Sequence, residues 1–219
     1  MKITVYSAKG SAGKTPIATN IALDKGYALG TNEIYHIFDS FFPEEKLLPV
    51  EPHEEFPQIP DNIDIVFDLA GSISKQSPSI SSAIMQSDLV IVPIYNEIKS
   101  LNAGIHTILE ISNFTKQILV IATKLQKQKN DVFSNWQDSL DFKNIEKMVS
   151  ANVNFPVPIL PLKFSKVFDM IFEKEKSISQ ITEEDALAKY TYRDVAKQFN
   201  DIYVYIEENY AAKKWLIRH

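Results

Sequence analysis

Ser7-Ala8-Lys9-Gly10-Ser11-Ala12-Gly13-Lys14-Thr15 joins an apolar run, Ile3–Tyr6, to an amphipathic stretch that begins at Pro16. Glycines at 10 and 13 allow backbone conformations and close approaches that side chains block, so successive N–H groups can turn inward on an anion. In such a loop Lys14 supplies a cation to outer phosphates, Thr15 a hydroxyl to magnesium, and the following helix its positive end. Pro16 fits the first helical turn, where N–H groups have no intrahelical acceptor. An ordinary glycine-rich strand-to-helix turn is the plainer reading, but too many positions agree with a phosphate loop for it to stand.

Outward from this loop, short apolar runs alternate with amphipathic stretches. The runs Ile3–Tyr6, Ile34–Phe38, Ile63–Leu69, Leu89–Ile94, Ile118–Ala122 and Val157–Leu160 predict strands. Pro16–Leu29, Ile80–Gln86, Ser100–Ser112, Phe142–Val149, Val167–Lys174 and Glu183–Tyr210 predict helices. The alternation predicts an α/β fold: a doubly wound, mainly parallel sheet with helices on both faces in three layers. One domain over 1–219 is expected, with a helical C-terminal region at about 183–219. Residues 43–60, carrying five prolines and five glutamates, read as an extended acidic surface loop, either a connector or a partner surface.

Composition removes several function classes. The chain has no cysteine, which excludes disulfides, thiolate zinc sites and iron–sulfur clusters, and with them electron-transfer relatives of this loop. Its four histidines, His36, His53, His106 and His219, show no metal-ligand spacing. No secretory leader or run of about 20 apolar residues is present, so a cytoplasmic address is expected. A formal charge of −5 argues against a nucleic-acid binder over its whole surface, but not against a local basic patch.

The loop has Ala8 at the usual first glycine and a lysine directly after it. The pattern Lys-Gly-x-x-Gly-Lys-Thr resembles the deviant Walker A motif of the ParA/MinD family, with Ser11 where a second adjacent glycine is usual. The resemblance implies ATP and Mg2+ as cofactors, held at Lys9, Gly10, Ser11, Ala12, Gly13, Lys14, Thr15 and Pro16. It also implies a homodimer in the ATP state, in which Lys9 reaches the partner's nucleotide. Ile63–Gly71 resembles the family's Walker B strand, placing Asp68 beside a magnesium-bound water. Ser87–Pro93 and Pro161–Ser165 resemble later landmarks, and by the same likeness Thr123, Lys124, Pro161, Leu162 and Lys163 border the base.

One departure bears on catalysis. The family's second strand ends in two aspartates one residue apart, and here the matching stretch is read as Ile37-Phe38-Asp39-Ser40-Phe41. If Asp39 is the first, Phe41 replaces the water-orienting carboxylate; if it is the second, Ile37 replaces the first. The resemblance therefore implies Lys9, Lys14 and Asp39 as catalytic residues, Thr15, Asp39 and Asp68 as metal residues, and slow hydrolysis sped by an adaptor or activating protein.

A ParA-like switch in DNA partition or cargo positioning is the reading this supports. A MinD-like membrane ATPase and a small-molecule P-loop enzyme are its alternatives. Nonspecific DNA would meet Lys124, Lys127 and Lys129, or Lys189, Arg193, Lys197, Lys213, Lys214 and Arg218, unless these are solvated helix faces. A membrane would meet the ending Ala211–Arg218, although a plain helix packed on the body is the preferred reading of that segment.

Overall fold

The computed structural model describes residues 1–40, 42–71, 77–127 and 131–211. Strand β1 (Lys2–Val5) runs through the phosphate-loop segment into helix α1 (Lys14–Lys25). The helix stops four residues before the expected Leu29. Gly26 takes a left-handed conformation, φ 65°, and the N–H groups of Gly26 and Tyr27 both return to the Ala22 carbonyl.

That early stop frees Ala28–Thr31 to form β2. The expected strand at Ile34–Phe38 does not form: Ile34, Tyr35 and Ile37 are exposed, and Phe38–Ser40 is a 3-10 turn. Tertiary packing overrides strand propensity here. Gly30 lies under Phe67, so close that a Cβ would come within 2.6 Å of the ring, and among the described residues the 34–37 run pairs with no strand.

A short edge strand β3 (Leu47–Pro49) follows, then β4 (Ile65–Asp68) and α2 (Pro78–Met85). The 43–60 segment is therefore not simply an extended surface loop. It contributes β3 and buries Phe56 and Ile59, with the Phe56 N–H donating to Ser82 Oγ at 2.9 Å and Lys2 Nζ to the Ile59 carbonyl at 2.6 Å. The remaining elements alternate: β5 (Leu89–Ile94), α3 (Ile98–Ile111), β6 (Ile118–Leu125), α4 (Leu140–Asn152) and β7 (Ile159–Lys163). Three helices follow, α5 (Val167–Lys174), α6 (Ile178–Glu184) and α7 (Ala186–Ile206), the last running into a π-helical turn, Glu207–Ala211.

Among the described residues the seven strands are all parallel, in the order β3-β2-β4-β1-β5-β6-β7. Alternate strand residues feed two cores, as a pleat requires. Leu89 and Ile91 meet α1, α5, α6 and α7 through Ile17, Val167, Ile178 and Phe199. Val90, Val92 and Ile94 meet α2, α3 and α4 through Ile80, Ile108 and Ile145. The result is the expected three-layer, doubly wound α/β architecture, whose strand order reverses beside β1 and opens a crevice at its carboxyl end.

Polar contacts fix α1, and hence the loop before it. The Tyr203 hydroxyl donates to Asp24 at 2.6 Å, and Asn20 Oδ1 accepts from the Ile178 N–H at 2.8 Å. These bonds hold α7 and α6 against α1. Among the described residues no helix is long and apolar enough to cross a membrane.

Candidate functional site

The phosphate-loop segment lies at the carboxyl end of β1, curled by two left-handed residues, Ser11 at φ 59° and Gly13 at φ 95°. A serine in that conformation carries a strain that glycine avoids. Contacts from other strands and helices hold the curl: Thr107 Oγ1 accepts from the Ala8 N–H at 3.2 Å, and Thr123 Oγ1 donates to the Ala12 carbonyl at 3.0 Å. Lys14 is buried, with Nζ 3.5 Å from the Lys9 carbonyl. Burial lowers its pKa, against the opposing pull of Asp68 and Glu33.

Asp68 ends β4 and is fully buried. Neither carboxylate oxygen has a hydrogen-bond partner of normal geometry, although the Thr15 hydroxyl faces it closely enough to favour the charged form. Burial pushes Asp68 up to about 7, Thr15 and Lys14 pull it down, and Glu33 pushes it further up. A buried carboxylate with only the Thr15 hydroxyl close by is a ligand set suited to a hard divalent cation such as magnesium. Gly71, just beyond, presses on the loop: a Cβ there would stand 2.6 Å from the Ser7 carbonyl and 2.8 Å from Lys14 Nζ.

Two clefts that share Thr15 and Glu33 open here. The larger, of about 390 Å³, runs from Gly10, Gly13, Lys14 and Thr15, past Pro16 and Glu33, to Thr123, Lys124 and Leu162. Phe164, Ser165, Phe168 and Asp169 close its far end. The smaller, of about 270 Å³, is shared by Thr15, Glu33 and Asp68 with Tyr35, His36 and Phe172.

The residues singled out in the sequence fall into three groups. Gly10, Ser11, Gly13, Lys14, Thr15, Pro16, Thr123, Lys124 and Leu162 line the larger cleft, and Asp68 the smaller. Ala12 is buried behind the loop, and Lys9 contributes backbone contacts, its N–H lying 3.4 Å from Ser7 Oγ. Lys9 is not among the residues lining the cleft of this single chain.

The others lie elsewhere. Asp39 does not end the second strand; it sits in the 3-10 turn, exposed, 3.8 Å from His36 Nδ1. Pro161–Lys163 is not a loop but the end of β7, where Pro161 is buried and Lys163 faces Asp194 at 3.4 Å and the Trp136 ring at 5.3 Å. Phe41, Lys129, Lys213, Lys214 and Arg218 lie outside the described residues, as does the ending from Ala212 onward.

Sequence reasoning missed Glu33. It stands two residues past β2, its N–H donating to Thr31 Oγ1 at 3.1 Å, and lines both clefts. The signal that leads to it is Lys25-Gly26, a basic last turn followed by a C-terminal glycine. Ending the helix there moves the second strand upstream and puts Thr31-Asn32-Glu33 at its tip. Phe168 and Asp169 were missed too, because only the packing of α5 brings them to the cleft.

A parallel sheet with a Gly-Lys-Thr loop at the carboxyl end of its first strand defines the P-loop class of fold. Within that class the chain has the fold of the MinD and ParA-type ATPases. It is similar to the cell division ATPase MinD of Pyrococcus furiosus, at 14% identity over 92% of this chain and 99% of that one, TM-score 0.58. It is similar to an ATP complex of a Cyanothece McdA variant, at 12% identity over 92% and 95%, TM-score 0.57. A plasmid partition protein of Borrelia burgdorferi bound to AMPPNP matches at 14% identity over 91% and 98%, TM-score 0.52. No protein-family model and no curated protein sequence matches the chain.

Proposed function

We propose that this chain is an ATPase of the ParA/MinD kind that binds ATP with Mg2+, dimerises in the ATP state and hydrolyses ATP to reset, positioning or partitioning a cargo. The observation that carries the reading is the orphaned, buried Asp68 carboxylate beside Thr15, across from Lys14 in a curled phosphate loop. The nucleotides in the McdA and Borrelia structures support the ligand class.

Lys14 holds the outer phosphates by charge-assisted contacts, and the backbone N–H groups of the loop carry the rest. Thr15 and Asp68 hold the cation, directly or through water. Magnesium, when bound, neutralises charge on the phosphates. Glu33, which lines the same cleft as Asp68 and bears on the charge of Lys14, orients the attacking water. In this reading Glu33, two residues past β2, supplies the water-orienting carboxylate in place of a group at position 41. Phe164 and Phe168 flank the base, with Leu162 beneath.

Lys9, whose side chain does not line its own cleft, acts on the nucleotide of a second copy. Lys189, Arg193 and Lys197 are exposed at four-residue spacing along α7, one basic stripe that favours nonspecific DNA as the surface met by the dimer. The test is titration with a fluorescent ATP analogue alongside phosphate release with and without magnesium. Absence of both binding and release overturns the reading.

A further inference from the structure

Glu33 stands two residues past β2 and Asp68 ends the neighbouring β4, and the register pairs Thr31 with Asp68. Backbone pairing ends there, so what lies beyond the strand tips needs another tie. Asn32 supplies it. Its side chain is fully buried, Oδ1 accepts from the Ala70 N–H at 2.7 Å, and Nδ2 donates to Ser79 Oγ at 2.8 Å. Ser79, in the first turn of α2, is itself held, its hydroxyl donating to the Pro52 carbonyl at 3.0 Å and lying 2.9 Å from Ser77 Oγ. The amide thus ties the tip of β2, the turn after β4 and the start of α2.

Both ends of this tie lead to reacting groups. Glu33 follows Asn32 directly. Gly71 follows Ala70 and packs so tightly on Ser7 and Lys14 that its place allows no side chain. A shift of the Ala70 turn would therefore reach Asp68, two residues before it, while leaving the loop glycines that cradle phosphate untouched.

We propose that Asn32 is a positioning residue for hydrolysis, holding the Glu33 and Asp68 tips in one geometry, separately from nucleotide affinity. The inference rests on the ATPase reading above. A buried amide with a donor and an acceptor satisfied on two different elements fixes their spacing more strictly than apolar packing does. It touches no substrate itself and acts through its neighbours.

Asn32→Ala removes both contacts, and Ser79→Ala removes one while keeping the acceptor for Ala70. Measured on the full chain with ATP, Asn32→Ala should lower kcat at least tenfold and raise the magnesium concentration for half-maximal rate, with ATP-analogue affinity within about twofold of wild type. Ser79→Ala, the milder change if Asn32→Ala folds poorly, should lower kcat about threefold with the same split. Circular dichroism melts confirm that each variant is folded. Equal losses in affinity and kcat in a folded variant, or no loss in kcat, overturn the proposal while leaving the ATPase reading intact. A wild-type chain without magnesium-dependent turnover overturns both.

Discussion

The two ends of the larger cleft are built differently. The phosphate end comes almost entirely from one contiguous segment, Gly10–Pro16, whose shape is set by backbone conformation and by two residues at positive φ. The far end is assembled from β6, β7 and α5, through Thr123, Lys124, Leu162, Phe164 and Phe168. Backbone-dictated anion sites leave a pattern in the sequence, whereas a wall made of three distant elements leaves none. Energetically the first should dominate binding and the second should tune it.

The largest effect expected at the phosphate end is electrostatic. Asp68 is raised from 3.8 to about 7 by burial, so the folded chain without ligand binds a proton that the unfolded chain releases above about pH 4. Its contribution is complete below the unfolded pKa and is lost as pH rises through about 7, a change on the order of 4 kcal/mol at most. Asp68→Asn, neutral throughout, should therefore be more stable than wild type at pH 8 and no different near pH 4. Urea denaturation at the two pH values checks this, and equal midpoints at both would show that the carboxylate is not strained by burial.

Lys14→Ala comes next, losing about 3 kcal/mol of ATP affinity, roughly a hundredfold, in the analogue titration. Glu33→Gln should keep affinity and lower turnover about a hundredfold, the scale for a positioned carboxylate acting on water. Asp39→Asn, at an exposed turn, should leave both unchanged, and phosphate release on the pair decides between the two carboxylates. The smallest effects belong to the far end. Phe168→Ala should weaken ATP-analogue binding about fivefold, near 1 kcal/mol, and Lys163→Ala by less than twofold, because its ammonium is turned to Asp194. A Lys163 effect larger than that of Phe168 would reverse this picture of the base wall.

The same contrast explains what could be read in advance. Leu89–Ile94 and Val167–Lys174 were legible to the residue because a buried apolar run between turn residues, and an amphipathic octet, satisfy one local rule each. β2 was not, since Ala28-Leu29-Gly30-Thr31 has little strand propensity and Gly30 is there to make room for Phe67. Missing that strand put attention on Asp39, in the exposed 3-10 turn, instead of on Glu33, which lines both clefts. Lys14, Thr15 and Asp68 needed no such correction of place, because motif and strand end lie in continuous sequence. Lys163 was misplaced because neighbouring residues of β7 point to opposite faces, so a likeness over Pro161–Lys163 cannot say which of them meets the cleft.

The central claim is that ATP binding is coupled to association of two copies, with Lys9 supplying the cation in trans. Size-exclusion chromatography with light scattering, run with and without ATP and magnesium, tests it most directly. The account predicts that the mass doubles in ATP, that Lys9→Ala binds ATP yet stays monomeric, and that Lys14→Ala does neither. A chain that binds ATP and keeps its monomer mass, or a Lys9→Ala variant that still doubles, would contradict it.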